Sequence, residues 1–167
     1  MSNAPVFISH TSRDDDFVRQ LREALEKHQI PIWVDSRQLA PGDMLDSKIE
    51  KAIEASSAFL LVISKNSLEH PRWVKKETKK AAALQAERGA ERYRIVPVLS
   101  DGLGEDVLEL FFENQPVAVK ISPDPADFQE NFNQILVALG KRLPDDQSQV
   151  TNQYAQTEQV DELVLTL

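Results

Sequence analysis

Five short apolar runs, set apart by stretches whose apolar residues recur at helical spacing, constrain this chain more than any other feature. Val6–Ser9 (VFIS), Ile30–Val34 (IPIWV), Ala58–Ser64 (AFLLVIS), Tyr93–Leu99 (YRIVPVL) and Pro116–Ile121 (PVAVKI) read as strands. Phe17, Leu21, Ala24 and Leu25 predict a helix over about Asp14–His28, and Ile49 and Ile53 one over about Leu45–Ser56. A third spans Trp73–Arg88 and stops at Gly89; the last spans Phe128–Leu143 on Phe128, Phe132, Ile135, Leu136 and Leu139. Asp101–Asn114 reads as a loop with a short helix. A strand that is apolar throughout, such as Phe59–Ile63, belongs in a sheet covered on both faces. Strand alternating with helix implies βαβ units, hence a five-stranded, mainly parallel sheet flanked by helices: a flavodoxin-like α/β three-layer sandwich. Pro31 has no amide hydrogen, which suits an edge strand or the start of a strand. Thr11, Ser12 or Asp14 is placed to cap the first helix.

The 167 residues suit one domain over 1–143 followed by a segment over 144–167. That segment carries Asp145, Asp146, Glu158, Asp161 and Glu162 and no Lys or Arg. Its Gln-rich stretch has the composition of a linker, and the more apolar Val160–Leu167 reads as the start of a strand or docking segment, so a longer parent chain is expected. The absence of cysteine removes disulfides, thiolate nucleophiles and cysteine-bound metal sites. No apolar stretch approaches the roughly 20 residues of a membrane span. The N-terminus lacks the basic start and apolar middle of a signal peptide. A cytoplasmic location away from membranes is expected. The net charge of −8 argues against a nucleic-acid-binding surface spread over the domain.

Chemistry-bearing residues gather between Ala58 and Glu77, AFLLVISKNSLEHPRWVKKE. A polar loop follows the central strand, and then Trp73 and Glu77 lie four apart, on one face of the next helix. An aromatic ring and a carboxylate thus stand side by side beyond the carboxyl end of a buried strand, where open α/β sheets bind ligands. A sugar or nucleotide fits such a cradle. The plain alternative for Glu77 is a solvated carboxylate paired with Lys75, Lys76 or Lys80, and for Trp73 a plug between helix and sheet. Ser9, His10 and Arg13 follow the first strand and Ser64 follows the third, so these ends are expected to converge on the same crevice. Ser9 or Ser64 can hydrogen-bond a ribose or phosphate, and Arg13 can pair with a pyrophosphate; helix capping and turn chemistry are the alternatives for each. Trp33 reads as packing. His10, His28 and His70 are scattered without metal-ligand spacing. There is no G-x-G-x-x-G and no Walker loop, so neither a metal nor a tightly held cofactor is expected. A phosphotransfer receiver needs acids at the ends of strands one and three, where this chain has Ser9 and Ser64.

VFISHTSRDD, WVDSRQLAPGD, the AIEAS ending the second helix and FLLVISKNSLEHPRWVKKE, in that order over about residues 4–143, resemble the successive blocks of a Toll/interleukin-1 receptor (TIR) domain. The family comprises signalling scaffolds and enzymes that cleave NAD⁺, and its bacterial members often open antiviral defence proteins. The resemblance implies that Glu77, in the W-x-x-x-E frame, is the catalytic residue. It implies NAD⁺ as substrate rather than cofactor, with hydrolysis to ADP-ribose or cyclisation as outcomes. It also makes Asp35–Met44 (DSRQLAPGDM) the BB loop, which covers the site and mediates assembly with other TIR domains into an oligomer or filament. Asp35 and Asp43 would then contact ribose, although Asp43 is equally suited to capping the second helix. His10 departs from the aromatic residue that the family often has after the serine. The alternative function is a non-catalytic scaffold for TIR–TIR interaction.

Overall fold

The computed structural model describes residues 4–34 and 45–140. Strands β1 (Val6–Ser9), β2 (Ile32–Val34), β3 (Ala58–Ile63), β4 (Arg94–Leu99) and β5 (Val119–Lys120) form one sheet in the order β2-β1-β3-β4-β5. Every neighbouring pair is parallel. The helices are α1 (Asp15–Lys27), α2 (Leu45–Ala55), α3 (Lys65–Glu69), α4 (Arg72–Arg88) and α5 (Pro125–Ala138), with 3₁₀ turns at Ser12–Asp14 and Glu105–Leu110. This strand order is that of flavodoxin-like doubly wound sheets.

Side chains alternate between the two faces of a strand, and the alternation separates two cores. Val6, Ile8, Leu60, Val62, Val96 and Val98 pack with Leu21 and Leu25 of α1 and Ile135 and Leu136 of α5. Phe7, Phe59, Leu61 and Ile63 pack with Ile49 and Ile53 of α2 and Val74 and Ala81 of α4. All six residues of β3 are buried, as its unbroken apolar run requires. Each of the five larger side chains, Phe59 to Ile63, contributes about 1.5–3 kcal/mol when fully withdrawn from water. Trp33 stacks on Phe7 with ring centroids 5.0 Å apart, which makes it packing.

Both strand prolines sit where no ladder bond is lost. Pro31 precedes the edge strand β2, and its carbonyl accepts from the Val6 amide at 2.9 Å. Pro97 lies inside β4, two residues before Leu99, whose carbonyl faces Ile121 on the β5 side. Alternation directs Pro97 to that same side, and pairing with β5 begins only at Val98.

Several boundaries differ from the sequence expectation. The loop after β3 contains helix α3, nucleated by a capping box in which the Ser67 amide donates to Ser64 Oγ at 3.1 Å and the Ser64 amide donates to Ser67 Oγ at 2.8 Å. Serine stands there in place of the usual Glu or Gln, which hides the signature. Helix α5 starts at Pro125, before its first apolar residue, because Asp124 accepts from the Asp127 amide and proline suits the first turn. It stops at Ala138, with Leu139 as its C-cap and Gly140 at φ 78 beyond it, and residues 141–143 of the expected span lie outside the described residues. β5 is shorter than the run Pro116–Ile121, since only Val119 and Lys120 pair with β4. Thr11 and Asp14 occupy the positions before the 3₁₀ turn and α1, but neither side chain makes a cap bond.

Candidate active site at the β1/β3 switch point

The chain order reverses between β1 and β3, so their carboxyl ends border the crevice in which doubly wound sheets hold ligands. Glu77 reaches this crevice from α4. Trp73, Glu77 and Ala81 form one i, i+4 stripe of that helix, turned toward the sheet. Glu77 is only 3% exposed. Ser9, last residue of β1, shares the face of Phe7, and its hydroxyl donates to Glu77 Oε1 at 3.2 Å. Two of the neighbouring lysines are engaged across the α2–α4 seam: Lys76 lies 3.0 Å from Asp46 and Lys80 2.7 Å from Glu54. Burying a carboxylate is unfavourable unless hydrogen bonds compensate it, and Ser9 supplies one. Glu77 is therefore not the solvated member of a basic helix face.

Trp73 is half-buried against the second core, with the Lys76 ammonium 5.5 Å from its ring centroid. Trp73 and Glu77 line a narrow cleft between α2 and α4, together with Ile49 and Ile53, of about 20 Å³, space for about one water. A groove of about 720 Å³ adjoins it, sharing Asp46, Trp73 and Lys76 as walls and adding Glu69, His70 and Arg72. That is the size of a small-ligand site.

A second polar cluster joins the two strand-end turns. Asp14, 8% exposed, accepts from Ser64 Oγ at 2.5 Å, Asn66 Nδ2 at 3.0 Å and Thr11 Oγ1 at 3.4 Å. Ser64 thus serves both the α3 cap and this tie, as the plain reading of helix and turn chemistry anticipated. Asp14 was legible only as a cap residue. Its role depends on donors 50 and 52 positions away, for which no local pattern exists.

The other expected site residues are placed as follows. His10, one residue beyond Ser9, turns to the opposite face, where Nε2 lies 2.8 Å from Asp15 Oδ1 of α1. Arg13 is on the surface, 3.7 Å from Glu69. The structure therefore brings together Ser9, Trp73 and Glu77, ties Ser64 to Asp14, directs His10 to Asp15, and pairs Arg13 at the surface with Glu69, a wall of the groove. Asp35 and Asp43, with the rest of the expected BB loop, lie outside the described residues. Among the described residues no helix is long and apolar enough to cross a membrane.

A parallel β2-β1-β3-β4-β5 sandwich with a buried glutamate at its switch point defines a class, and residues 6–136 match the family profile of the TIR domain. The chain belongs to the TIR domain family. It is 39% identical over 71 residues to the 2′ cyclic ADP-D-ribose synthase BtTIR of Bacteroides thetaiotaomicron, covering 42% of this chain and 23% of that protein. It is 32% identical over 102 residues to the NAD(+) hydrolase PdTIR of Paracoccus denitrificans, covering 59% and 33%. The alignments thus span a third or less of these relatives' lengths. Among solved structures, a metazoan TIR-STING receptor from C. gigas superposes with a TM-score of 0.64 at 24% identity, over 84% of this chain and 41% of that one, a likeness of fold.

Proposed function

We propose that this domain is a cytoplasmic NAD⁺ nucleosidase acting in defence signalling, with Glu77 as its catalytic residue. The observation that carries the reading is Glu77 itself, buried at the switch point and held by Ser9 although it sits on a lysine-rich helix. The chemistry needs little more. Nicotinamide is a cationic ring in NAD⁺ and departs neutral: the C1′–N bond breaks, its electron pair goes to the ring nitrogen, and no proton is required. The positive charge passes to the ribose as an oxocarbenium ion. A fixed carboxylate in a poorly hydrated cleft stabilises that charge and accepts from ribose hydroxyls. A glycosidase, by contrast, needs a second carboxyl group to protonate its leaving group. Ser9 orients Glu77, and the ring of Trp73 offers a flat wall to nicotinamide or ribose.

The names of the two relatives support this reading, and they mark the two fates of one cation. Water captures it to give ADP-ribose, or a hydroxyl of the same molecule captures it to give a cyclic product, and in each case the attacking oxygen gives up one proton. Assembly with further TIR domains through residues 35–44, the segment that corresponds to the family's BB loop, completes the proposal.

The test is chromatography of concentrated protein incubated with NAD⁺, wild type against Glu77→Gln, with circular dichroism to verify folding. Glu77→Gln is expected to lose about 100-fold or more of nicotinamide release, the scale of removing a fixed transition-state contact, while keeping its spectrum. A variant as fast as wild type refutes the catalytic role. No release by wild type, even under crowding, leaves the domain as a non-catalytic TIR scaffold.

A further inference from the structure

Lys76 is the one cationic side chain of α4 that walls both the narrow cleft at Glu77 and the wide groove outside it and also lies over Trp73. Its ammonium is held 3.0 Å from Asp46 Oδ2, and both side chains are more than half exposed. Exposed ion pairs of this kind are weak and exchange readily. The two cavities share Asp46, Trp73 and Lys76 as walls, so a diphosphate on the 5′-oxygen of a ribose seated at Glu77 meets these side chains if it runs into the wider groove. The chain carries a net charge of −8, so its overall field repels a diphosphate, and capture depends on a local cation. Of the three shared walls, Asp46 repels the diphosphate and Trp73 is neutral.

We infer that Lys76 binds the pyrophosphate of the dinucleotide and that Asp46 is the intramolecular stand-in which the pyrophosphate displaces. Lys76 is thereby a specificity-determining residue for diphosphate-bearing substrates, and the inference rests on the NAD-cleaving reading of Glu77. The ammonium is a mobile point charge on a flexible stem, which suits exchange between one carboxylate oxygen and a diphosphate.

Titration calorimetry on the full chain tests this without turnover, using ADP-ribose as the diphosphate probe and nicotinamide as the probe that lacks phosphate. Lys76→Met is expected to weaken ADP-ribose about tenfold, the worth of one charge-assisted contact, and to leave nicotinamide unchanged. Lys76→Arg is expected to restore most of the loss. Asp46→Asn is expected to tighten ADP-ribose severalfold, an effect opposite to that of losing a structural ion pair. Equal ADP-ribose binding by wild type and Lys76→Met overturns the inference. So does parallel weakening of both probes, or no ADP-ribose binding by wild type. Nicotinamide release from NAD⁺ is a separate readout, so a domain that binds ADP-ribose through Lys76 but cleaves nothing would sink the catalytic reading alone.

Discussion

Ser9 and Ser64 have the same chemistry and stand at the ends of adjacent parallel strands, yet their hydroxyls point to different carboxylates. Ser9 donates to Glu77 and Ser64 to Asp14. Ser9→Ala removes one donor from a buried carboxylate and nothing from the core. It is expected to slow nicotinamide release by about tenfold, somewhat less than the loss of an oxyanion-hole donor, while the melting temperature shifts by only a few degrees. A rate equal to that of wild type would show that Glu77 is held without it. Asp14→Ala acts the other way. It strips acceptors from Ser64, Asn66 and Thr11 and leaves the buried Ser64 hydroxyl without that acceptor, so about 1–3 kcal/mol of unfolding free energy is expected to be lost in urea denaturation. Asp14→Asn, which keeps an acceptor oxygen, is expected to recover part of it.

Helix α4 does three jobs. Val74, Thr78 and Ala81 bury against the sheet, Trp73 and Glu77 line the cleft, and Lys76 and Lys80 bind α2 through Asp46 and Glu54. The seam is closed below by Tyr93, 1% exposed, whose hydroxyl meets Ser56 Oγ at 2.9 Å at the end of α2. Burial raises the Tyr93 pKa above its ordinary value, outweighing the lowering effects of the Ser56 hydrogen bond and of Arg88. The neutral phenol is therefore the folded form. Its contribution is fully present below the unfolded tyrosine pKa of about 10 and is lost as pH rises through the higher folded value. Tyr93→Phe is expected to lower stability by about 1 kcal/mol near neutral pH, because Ser56 keeps its bond to the Ile53 carbonyl at 2.6 Å. The variant should also lose less stability than wild type between about pH 9 and pH 11. Parallel denaturation series at the two pH values check both statements. At this scale the sequence was legible where period and composition agree, as in α1, α2, α4 and β3. It was misleading where a side-chain bond moves a boundary, as Ser67 does for α3 and Asp124 for α5.

For the molecule as a whole, the cleft at Glu77 is the limiting dimension. About 20 Å³ admits no nicotinamide ring, so the NAD-cleaving reading requires α2 to move away from α4. If contact with another TIR domain drives that movement, nicotinamide released per mole of chain should rise severalfold with protein concentration or a crowding agent. A constant specific activity across the series would show that one chain opens by itself.

The sequence by itself determined the alternation of strand and helix, the parallel sandwich and the W-x-x-x-E frame, because each is written in local period or residue type; that the strand after Pro31 lies at the sheet edge came from the topology. Only the tertiary structure decided that Ser9 meets Glu77 across 68 positions, that Asp14 ties the two turns, and that His10 faces away from the cleft. These contacts are set by the register of parallel strands and the way α4 lies on the sheet. A one-residue difference on β1 separates opposite faces, and no local pattern encodes which helix waits on each side.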